Sequence, residues 1–197
     1  MNEAGVAVAG HLRGLARLAE QVAAEQAEAI ARIAALVVAT FENGGKLLFC
    51  GNGGSAADAQ HLATEYIVRF RADRRGLPAI ALTTDTSLLT AAANDYGFAR
   101  VFSRQVAALG ARGDLLFLHS TSGESANLVE AAVEARARGV TTVALLARGG
   151  GVLRNVVDHA LVLPTDDGAH AQELHLAIGH AICDRVETWL RTRTEPQ

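Results

Sequence analysis

The sequence predicts a doubly wound α/β fold, built on a parallel sheet of about five strands and preceded by a long N-terminal helix. Three observations predict it: short apolar runs alternate with helical segments, the runs are almost continuously apolar, and glycine-rich or polar loops follow two of them. Continuous apolar runs are typical of parallel strands that helices cover on both faces. Ligands of such folds bind beyond the carboxyl ends of the strands, near the switch in strand order.

The first 43 residues predict one helical arm. Leu12, Leu15 and Leu18 recur at helical spacing, and no proline interrupts the stretch. The tripeptide Asn-Gly-Gly at 43–45 is typical of a helix C-terminus. A lead-in helix of this length is unusual for a single α/β unit, so we expect it to pack against another subunit.

The rest of the chain predicts the strands and helices of one domain. The strands are expected at 46–50, 79–83, 114–120, 141–146 and 160–163. The helices are expected at 57–71, 87–94, 99–109, 126–138 and 169–191, with a short one after the glycines at 149–151. A length of 197 residues corresponds to one domain, so residues 1–197 form a single unit with 1–43 as its arm. Residues 192–197 are expected to fray.

Composition argues against several classes of function. The net charge is -3 and only 5% of residues are aromatic, which disfavours both a basic nucleic-acid face and a stacking platform for single strands. We expect no secretory leader, and the longest apolar stretch, 33–41, is about half of a membrane span. Cys50 and Cys183 cannot form a disulfide framework, so buried thiols and a cytoplasmic location are expected.

A glycine-rich loop follows the first predicted strand. Its sequence, Gly-Asn-Gly-Gly-Ser-Ala at 51–56, matches the relaxed dinucleotide pattern G-x-G-x-x-A. That pattern also needs an acid at the tip of the second strand, about 20 residues on. Asp73 has the spacing but lies in a charged stretch, and Asp85 lies too far along. The loop is therefore expected to approach a ligand other than a dinucleotide.

A second loop, Ser-Thr-Ser-Gly-Glu-Ser at 120–125, places four hydroxyls in six residues just before a predicted helix. Hydroxyls and free N–H groups at a helix N-terminus suit a phosphate. The alternative is an ordinary serine cap with polar neighbours. Because the loop has no Arg or Lys, a small phosphate monoester is favoured over a polyphosphate.

Two helices carry candidate ligands for a metal or groups for proton transfer. His61 and Glu65 are four residues apart and share one helix face, although a solvated pair is the alternative. The last helix carries Gln172, His175 and His180. Eight residues of helix rise about 12 Å, so Gln172 and His180 of one chain can hardly reach the same metal. Either the helix begins after Gln172, or the two residues serve sites shared between subunits.

Other polar residues have less specific interpretations. The segment 94–97, Asn-Asp-Tyr-Gly, is either a helix cap and turn or a binder of sugar hydroxyls. His119 ends a predicted strand, and we expect it to be buried and hydrogen-bonded. Arg104, Glu173 and Glu187 are expected to be surface or interface charges.

Several segments together carry a family resemblance that covers nearly the whole chain. They are 51–61 with Glu65, 82–87, 94–97, 102–104, 120–123, and Gln172-Glu-x-His175 with His180. Together they resemble the phosphoheptose isomerases, a family with the sugar isomerase (SIS) fold, which is flavodoxin-like. The serine loop is shared by SIS domains in general, whereas the first segment and the spacing on the last helix are more specific.

The resemblance implies an activity, a metal and an assembly. The family converts sedoheptulose 7-phosphate to D-glycero-D-manno-heptose 7-phosphate, the first step toward nucleotide-activated heptose, in cytoplasmic homotetramers with intersubunit sites and one zinc per subunit. The implied metal ligands are His61, Glu65, Gln172 and His180. The implied substrate contacts are Asn52, Gly53, Gly54, Ser55, Glu65, Asn94, Asp95, Ser120, Thr121, Ser122, Ser125 and Gln172. Glu65 is expected to act as the base and His180 as its acid/base partner in an enediol mechanism.

The sequence departs from the family pattern in two places and leaves two alternatives open. Glu124 lies in the phosphate loop, where it is expected to point away, and the segment 165–170 leaves open whether Asp166, Asp167 or neither contacts substrate. The alternatives are an isomerase for another sugar phosphate and a non-catalytic SIS regulator. The intact set of implied metal ligands weighs against the regulator.

Overall fold

Five parallel strands form the centre of the computed structural model, which describes residues 2–194. The strands are β1 Leu47–Gly51, β2 Ala79–Ala81, β3 Leu115–Ser120, β4 Thr141–Leu146 and β5 His159–Val162. Their order is β2-β1-β3-β4-β5, so the chain runs first to one edge and then back across β1 to the other. The predicted doubly wound sheet is confirmed, with its switch point between β1 and β3.

Seven α-helices accompany the sheet within residues 2–194. They are α1 Glu3–Glu42, α2 Gly54–Ile67, α3 Thr86–Tyr96, α4 Val101–Leu109, α5 Ala126–Ala137, α6 Leu153–Val156 and α7 Gly168–Thr194. Short 3-10 turns occupy 98–100 and 148–150. None of these described helices combines the length and the apolar character needed to cross a bilayer.

The alternation of side chains along the strands divides the core into two halves. Leu47 and Phe49 pack with apolar residues of α1, α2 and α7 on one face of the sheet. Leu48 and Cys50 pack with residues of α3, α4, α5 and α6 on the other face. Every residue of β1 and β3 is buried, as the continuous apolar runs predict.

The N-terminal arm is a single helix, α1, that contacts the body of the protein only along part of its length. Asn2 caps it by accepting the N–H of Gly5 at 2.9 Å. The first buried residue of α1 is Leu18, whereas Val6 and Val8 are 55% and 62% exposed. The structure therefore confirms the helix and leaves apolar side chains uncovered at its N-terminal end.

Helix α2 differs from its prediction at both ends, because it begins at Gly54 and ends at Ile67. Past its end, the N–H groups of residues 70–72 donate to the carboxylate of Glu187 instead of to helical carbonyls. Arg74 completes this arrangement with an ion pair of 3.2 Å to Glu187. The expectation that Glu187 is a surface charge is wrong, because its side chain is buried among these donors.

The last described helix is α7, which extends three residues further than expected. Its helical conformation continues through 192–194, so the prediction of a frayed end is wrong there, while 195–197 lie outside the described residues. Cys50 and Cys183 are free and buried, as expected. Burial raises the pKa of the Cys183 thiol to about 12, so it stays protonated and acts as a small apolar side chain.

Candidate active site

The glycine loop and the serine loop leave the sheet side by side. Strands β1 and β3 are parallel neighbours, and Gly51 at the end of β1 pairs with His119 near the end of β3. The side-chain amides of Asn52 and Asn127 exchange two hydrogen bonds of 2.9 Å and 2.8 Å. Asn52 therefore fixes the glycine loop to the first turn of α5.

The glycines of the first loop are required by close approach and by backbone conformation. A Cβ on Gly51 would lie 2.5 Å from the carbonyl oxygen of Ser55, and Gly53 has a φ of +56°. A Cβ on Gly54 would collide with the side-chain amide of Gln172. The loop is thus tightly folded, and the predicted substrate residue Gln172 lies directly against it.

The serine loop leaves the N-terminus of α5 without a side-chain cap. Ser120 Oγ accepts the N–H of Gly123 at 3.0 Å, and Ser122 Oγ accepts the N–H of Glu124 at 3.3 Å. Ser125 occupies the cap position, but its hydroxyl makes no capping hydrogen bond. The ordinary serine-cap interpretation is therefore wrong, and the first N–H groups of α5 remain available to an anion.

Glu124 lies against the neighbouring turn. A Cβ on Gly151 would lie 2.5 Å from Glu124 Oε1, which places this carboxylate beside the 149–151 glycines. Close packing also explains Gly123, whose φ is +71° and whose Cβ would collide with the carbonyl oxygen of Gly150. The glycine turn at 149–151 therefore closes one side of the serine loop.

Helices α2 and α7 bring together three of the four implied metal ligands. His61 Nε2 lies 3.3 Å from Glu65 Oε1 and 2.9 Å from His180 Nε2. One ligand atom from each residue lies within 4.8 Å of the other two. The predicted proximity of His61 and Glu65 is confirmed, and the donor set of two imidazoles and a carboxylate fits zinc.

The environment of His180 favours its neutral form. Burial is the main cause that lowers its pKa from the ordinary value, and His61 acts in the same direction while Glu65 opposes them. The ring of Phe70 stacks on the His180 ring, with centroids 5.3 Å apart. A neutral imidazole can ligate a cation or accept a proton, which are the two roles the sequence predicts for it.

Gln172 is not brought into this cluster within one chain. Helix α7 begins at Gly168, so the possibility that it begins after Gln172 is wrong. Eight residues of helix separate Gln172 from His180 by about 12 Å. Gln172 lines a separate cavity of about 280 Å³ together with Asp58 and Glu173. The alternative in which subunits share the two residues stays a prediction.

Asp58 is a candidate functional residue that sequence reasoning missed. Its Oδ2 is buried and has no hydrogen-bond partner among the described residues. Burial raises its pKa to about 6, against the opposing effect of His61. Carboxyl groups with shifted pKa values are common at functional sites. A signal was present in the sequence, because Asp58, His61 and Glu65 follow the i, i+3, i+7 spacing of one helix face.

Two buried histidines lie behind the serine loop. His119 is buried as expected, but the expected hydrogen bonding is wrong, since neither ring nitrogen has a partner within residues 2–194. His175 is structural, and its Nε2 lies 3.3 Å from the carbonyl oxygen of Leu146. Burial lowers the pKa of His119 to about 3 and that of His175 to about 4, so both rings are neutral at neutral pH.

The remaining predicted residues lie apart from the cluster. Asn94 and Asp95 are exposed in the last turn of α3 and hydrogen-bond each other at 2.8 Å. Arg104 is exposed, as expected, with its guanidinium 4.4 Å from the ring centroid of Tyr96. The role of Asn94 and Asp95 as substrate contacts stays a prediction.

The two aspartates before Gln172 have structural roles. Asp167 Oδ1 accepts the N–H groups of Ala169 and His170 at the start of α7, and the His170 N–H is the main cause that lowers the Asp167 pKa. The backbone carbonyl of Asp166 accepts from Arg148 at 2.9 Å. Neither aspartate belongs to the group of His61, Glu65 and His180.

Comparisons with known proteins show which proteins this chain is similar to. Residues 11–147 match the SIS domain family. The chain is 54% identical over 165 residues to a phosphoheptose isomerase of Roseiflexus sp. (strain RS-1), covering 84% of each chain. Two solved structures of phosphoheptose isomerases are similar to it. The one from Francisella tularensis has a TM-score of 0.91 at 38% identity, covering 95% of this chain and 100% of that one. The one from Neisseria gonorrhoeae has a TM-score of 0.89 at 43% identity, covering 93% of this chain and 98% of that one.

Proposed function

This chain belongs to the phosphoheptose isomerase family of SIS-domain proteins, and we propose that it interconverts sedoheptulose 7-phosphate and D-glycero-D-manno-heptose 7-phosphate. The observation that carries the proposal is the group of His61, Glu65 and His180, which α2 and α7 bring together. A non-catalytic SIS regulator has no need of such a group of proton-transfer and metal-binding side chains.

The reaction moves a carbonyl from C2 to C1 without net oxidation. Glu65 removes a proton from C1 of the ketose while a proton reaches the C2 oxygen, which gives the enediol. A proton then returns to C2 and the O1 proton leaves, which gives the aldose. His180 is the partner that gives and takes the proton at oxygen, since burial lowers its pKa and a neutral ring can exchange a proton in either direction.

We propose that His61, Glu65, Gln172 and His180 hold one zinc ion per subunit. Three of these residues, His61, Glu65 and His180, fit zinc in chemistry and spacing. When bound, the ion stabilises negative charge on the substrate oxygens of the enediol. Gln172 would come from a neighbouring subunit, because it and His180 are too far apart on α7 of one chain.

The substrate phosphate is proposed to bind the serine loop and the uncapped N-terminus of α5. Ser120, Thr121, Ser122 and Ser125 supply hydroxyls, and the helix supplies N–H groups. Binding at the far end of the sugar orients C1 and C2 toward Glu65. Asn52, Gly53, Gly54 and Ser55 line the same edge of the sheet and are proposed to contact the sugar, with Asn94 and Asp95 reaching it from another subunit.

We propose a cytoplasmic homotetramer with active sites between subunits. The uncovered apolar residues of α1 and the separation of Gln172 from the cluster both support an assembly of several chains. The buried, unpaired cysteines are compatible with a reducing compartment.

The decisive test is the conversion of sedoheptulose 7-phosphate, followed by NMR for the aldose product. The Glu65→Gln variant keeps the shape of the side chain but lacks the carboxylate that acts as the base. We therefore expect kcat to fall by at least about 100-fold. Glu130→Gln, an exposed glutamate of α5, is the matched control and should retain the wild-type rate. A near-wild-type rate in Glu65→Gln would show that the base is assigned wrongly.

A panel of five-, six- and seven-carbon ketose phosphates tests the substrate. We expect the highest kcat/KM with the seven-carbon sugar. A preference for a shorter sugar would identify an isomerase of another sugar phosphate. Removal of metal by a chelator should lower the rate, and added Zn²⁺ should restore it; an unchanged rate would refute the metal's role.

A further inference from the structure

A second cluster of metal-binding side chains joins the N-terminal arm to α7. His11 lies on α1, and His170 and Glu173 lie in the first two turns of α7. One ligand atom from each residue lies within 4.8 Å of the other two. The cluster consists of two imidazoles and a carboxylate, which is the same donor set as that of His61, Glu65 and His180, and it shares no residue with that set.

Hydrogen bonding fixes the tautomer of His170. Its Nε2 lies 3.1 Å from the backbone carbonyl oxygen of His11. A carbonyl oxygen only accepts, so Nε2 carries the hydrogen and Nδ1 of the neutral ring keeps its lone pair. A metal-binding histidine is usually oriented in this way, with its other N–H donated to a carbonyl or carboxylate.

One pair of acceptor atoms in the cluster has the spacing of ligands around one cation. His11 Nε2 lies 3.4 Å from Glu173 Oε1, while His170 Nδ1 also lies 3.4 Å from Oδ2 of Asp167, a carboxylate outside the cluster. Ligand atoms at about 2.0–2.1 Å from a tetrahedral zinc lie about 3.3 Å from each other. Lone pairs and carboxylate oxygens at this distance repel each other unless a proton or a metal cation lies between them.

Gly14 leaves the space in which the His170 ring lies. A Cβ on Gly14 would lie 2.8 Å from Cε1 of His170. Gly14 is three residues after His11 and therefore on the same face of α1. The rings of His11 and His170 are in contact, with centroids 4.3 Å apart. The exposed end of α1 is thus shaped to receive the His170 ring at this point.

We propose that His11, His170 and Glu173 form a second site for a divalent transition metal of the zinc class, which fixes the N-terminal arm to the first turns of α7. His11 and Glu173 are each nearly half exposed, so the cation can enter from solvent and keep a water ligand. The clamp acts on the part of α1 that precedes its first buried residue, Leu18. It also holds the turn of α7 that carries Gln172.

Metal counting on the full-length protein tests this site. Chelator-treated protein is loaded with Zn²⁺ alone, and the zinc bound per chain is measured after desalting. We expect two zinc ions in the wild type, one in His11→Ala and one in His180→Ala. The control His159→Ala removes an exposed histidine outside both clusters and should keep two.

Each outcome distinguishes the second site from the catalytic one. The proposal would be overturned if His11→Ala still bound two zinc ions per chain. It would also be overturned if the wild type bound only one zinc ion and His180→Ala bound none. If the wild type bound one zinc ion, His180→Ala kept it and His11→Ala lost it, the result would support the second site and refute the metal of the proposed isomerase site.

A spectroscopic readout covers the case in which metal counts are obscured by weak binding. Co²⁺ is added to His180→Ala, where visible absorption of low-coordinate Co²⁺ reports the second site alone. We expect Glu173→Gln, which keeps the side-chain shape, to reduce the Co²⁺ affinity at least tenfold. Gly14→Ala should also weaken binding, because it displaces His170. An affinity unchanged by Glu173→Gln would overturn the proposal.

Discussion

At the scale of single residues, the site is defined by what surrounds each ionisable group. His180 and Asp58 are both perturbed by burial, which lowers the pKa of the histidine and raises that of the carboxyl group to about 6. His119 and His175 are more deeply buried, and burial keeps them neutral behind the serine loop. Residue type alone shows none of this, because the same side chains in water would titrate near their ordinary values.

Asp58 gives a prediction for stability. Its pKa is about 6 in the folded protein and about 3.8 in the unfolded chain, so the folded state binds the proton more tightly. The free energy of unfolding therefore falls as pH rises from about 4 to about 6 and then levels off. We expect Asp58→Asn to remove this decline and to have a higher Tm than the wild type at pH 8.

Thermal unfolding of chelator-treated protein at pH 4.5 and pH 8 checks this, because a bound cation would favour the carboxylate and hide the effect. Asp73→Asn, an exposed aspartate, should follow the wild-type profile. The same pH dependence in Asp58→Asn and in the wild type would show that Asp58 is not the group responsible.

At the scale of elements, the close packing of α2 and α7 brings His61 and His180 together. Gly179, next to His180, has no side chain, and a Cβ there would lie 2.5 Å from Leu62 Cδ2. Leu62 is buried beside His61 on α2. The approach of the two helices at this pair is what places His61 Nε2 and His180 Nε2 2.9 Å apart.

Gly179→Ala should therefore disturb both stability and metal binding. Overpacking at this contact costs about 1–3 kcal/mol of unfolding free energy. We also expect at least a tenfold loss of Zn²⁺ affinity at the proposed site of His61, Glu65 and His180, measured in the His11→Ala background. Adding Leu62→Ala relieves the clash and should restore part of the affinity.

Gly10→Ala provides the matched control for this prediction. Gly10 lies in α1 with nothing within 4 Å of a Cβ, so the change should stabilise the helix by about 0.5–1 kcal/mol without affecting the metal. Unchanged Zn²⁺ affinity in Gly179→Ala would mean that the spacing of α2 and α7 does not control the site.

At the scale of the whole molecule, one chain does not bring all of the predicted site residues together. The cluster contains His61, Glu65 and His180, while Gln172 lies elsewhere on α7 and Asn94 and Asp95 lie exposed on α3. The N-terminal end of α1 exposes Val6, Val8 and Leu12, which no other residue of the described range 2–194 covers. Both facts are accounted for if neighbouring chains complete the site and cover the arm.

Light scattering after size-exclusion chromatography tests the assembly. We expect a mass of four chains for the wild type, and a smaller mass with at least tenfold lower activity for the double variant Val6→Glu/Val8→Glu. Glu3→Gln changes the charge at the same end of α1 without changing an apolar side chain, and it should remain a tetramer. A monomeric, fully active wild type would refute the shared site.

Much of the fold and part of the site could be predicted from sequence because they depend on the pattern of residues that are close together in the chain. The five strands follow from continuous apolar runs, and His61 and Glu65 follow from helical spacing. Sequence reasoning failed where a distant group decided the outcome. Glu187 lies 115 residues or more from the backbone amides that it binds, and these amides end α2 early.

The sequence by itself determined the order of strands and helices, the glycine and serine loops, and the family resemblance that implies which residues would bind zinc. Hydrophobic periodicity and backbone preference act between neighbours in the chain, and so they can be read directly. Only the tertiary structure decided that His180 contacts His61, that Gln172 lies apart from this pair, and that His11 contacts Glu173. These contacts depend on how helices pack across 119 to 162 residues of intervening chain, where burial and close approach set the geometry.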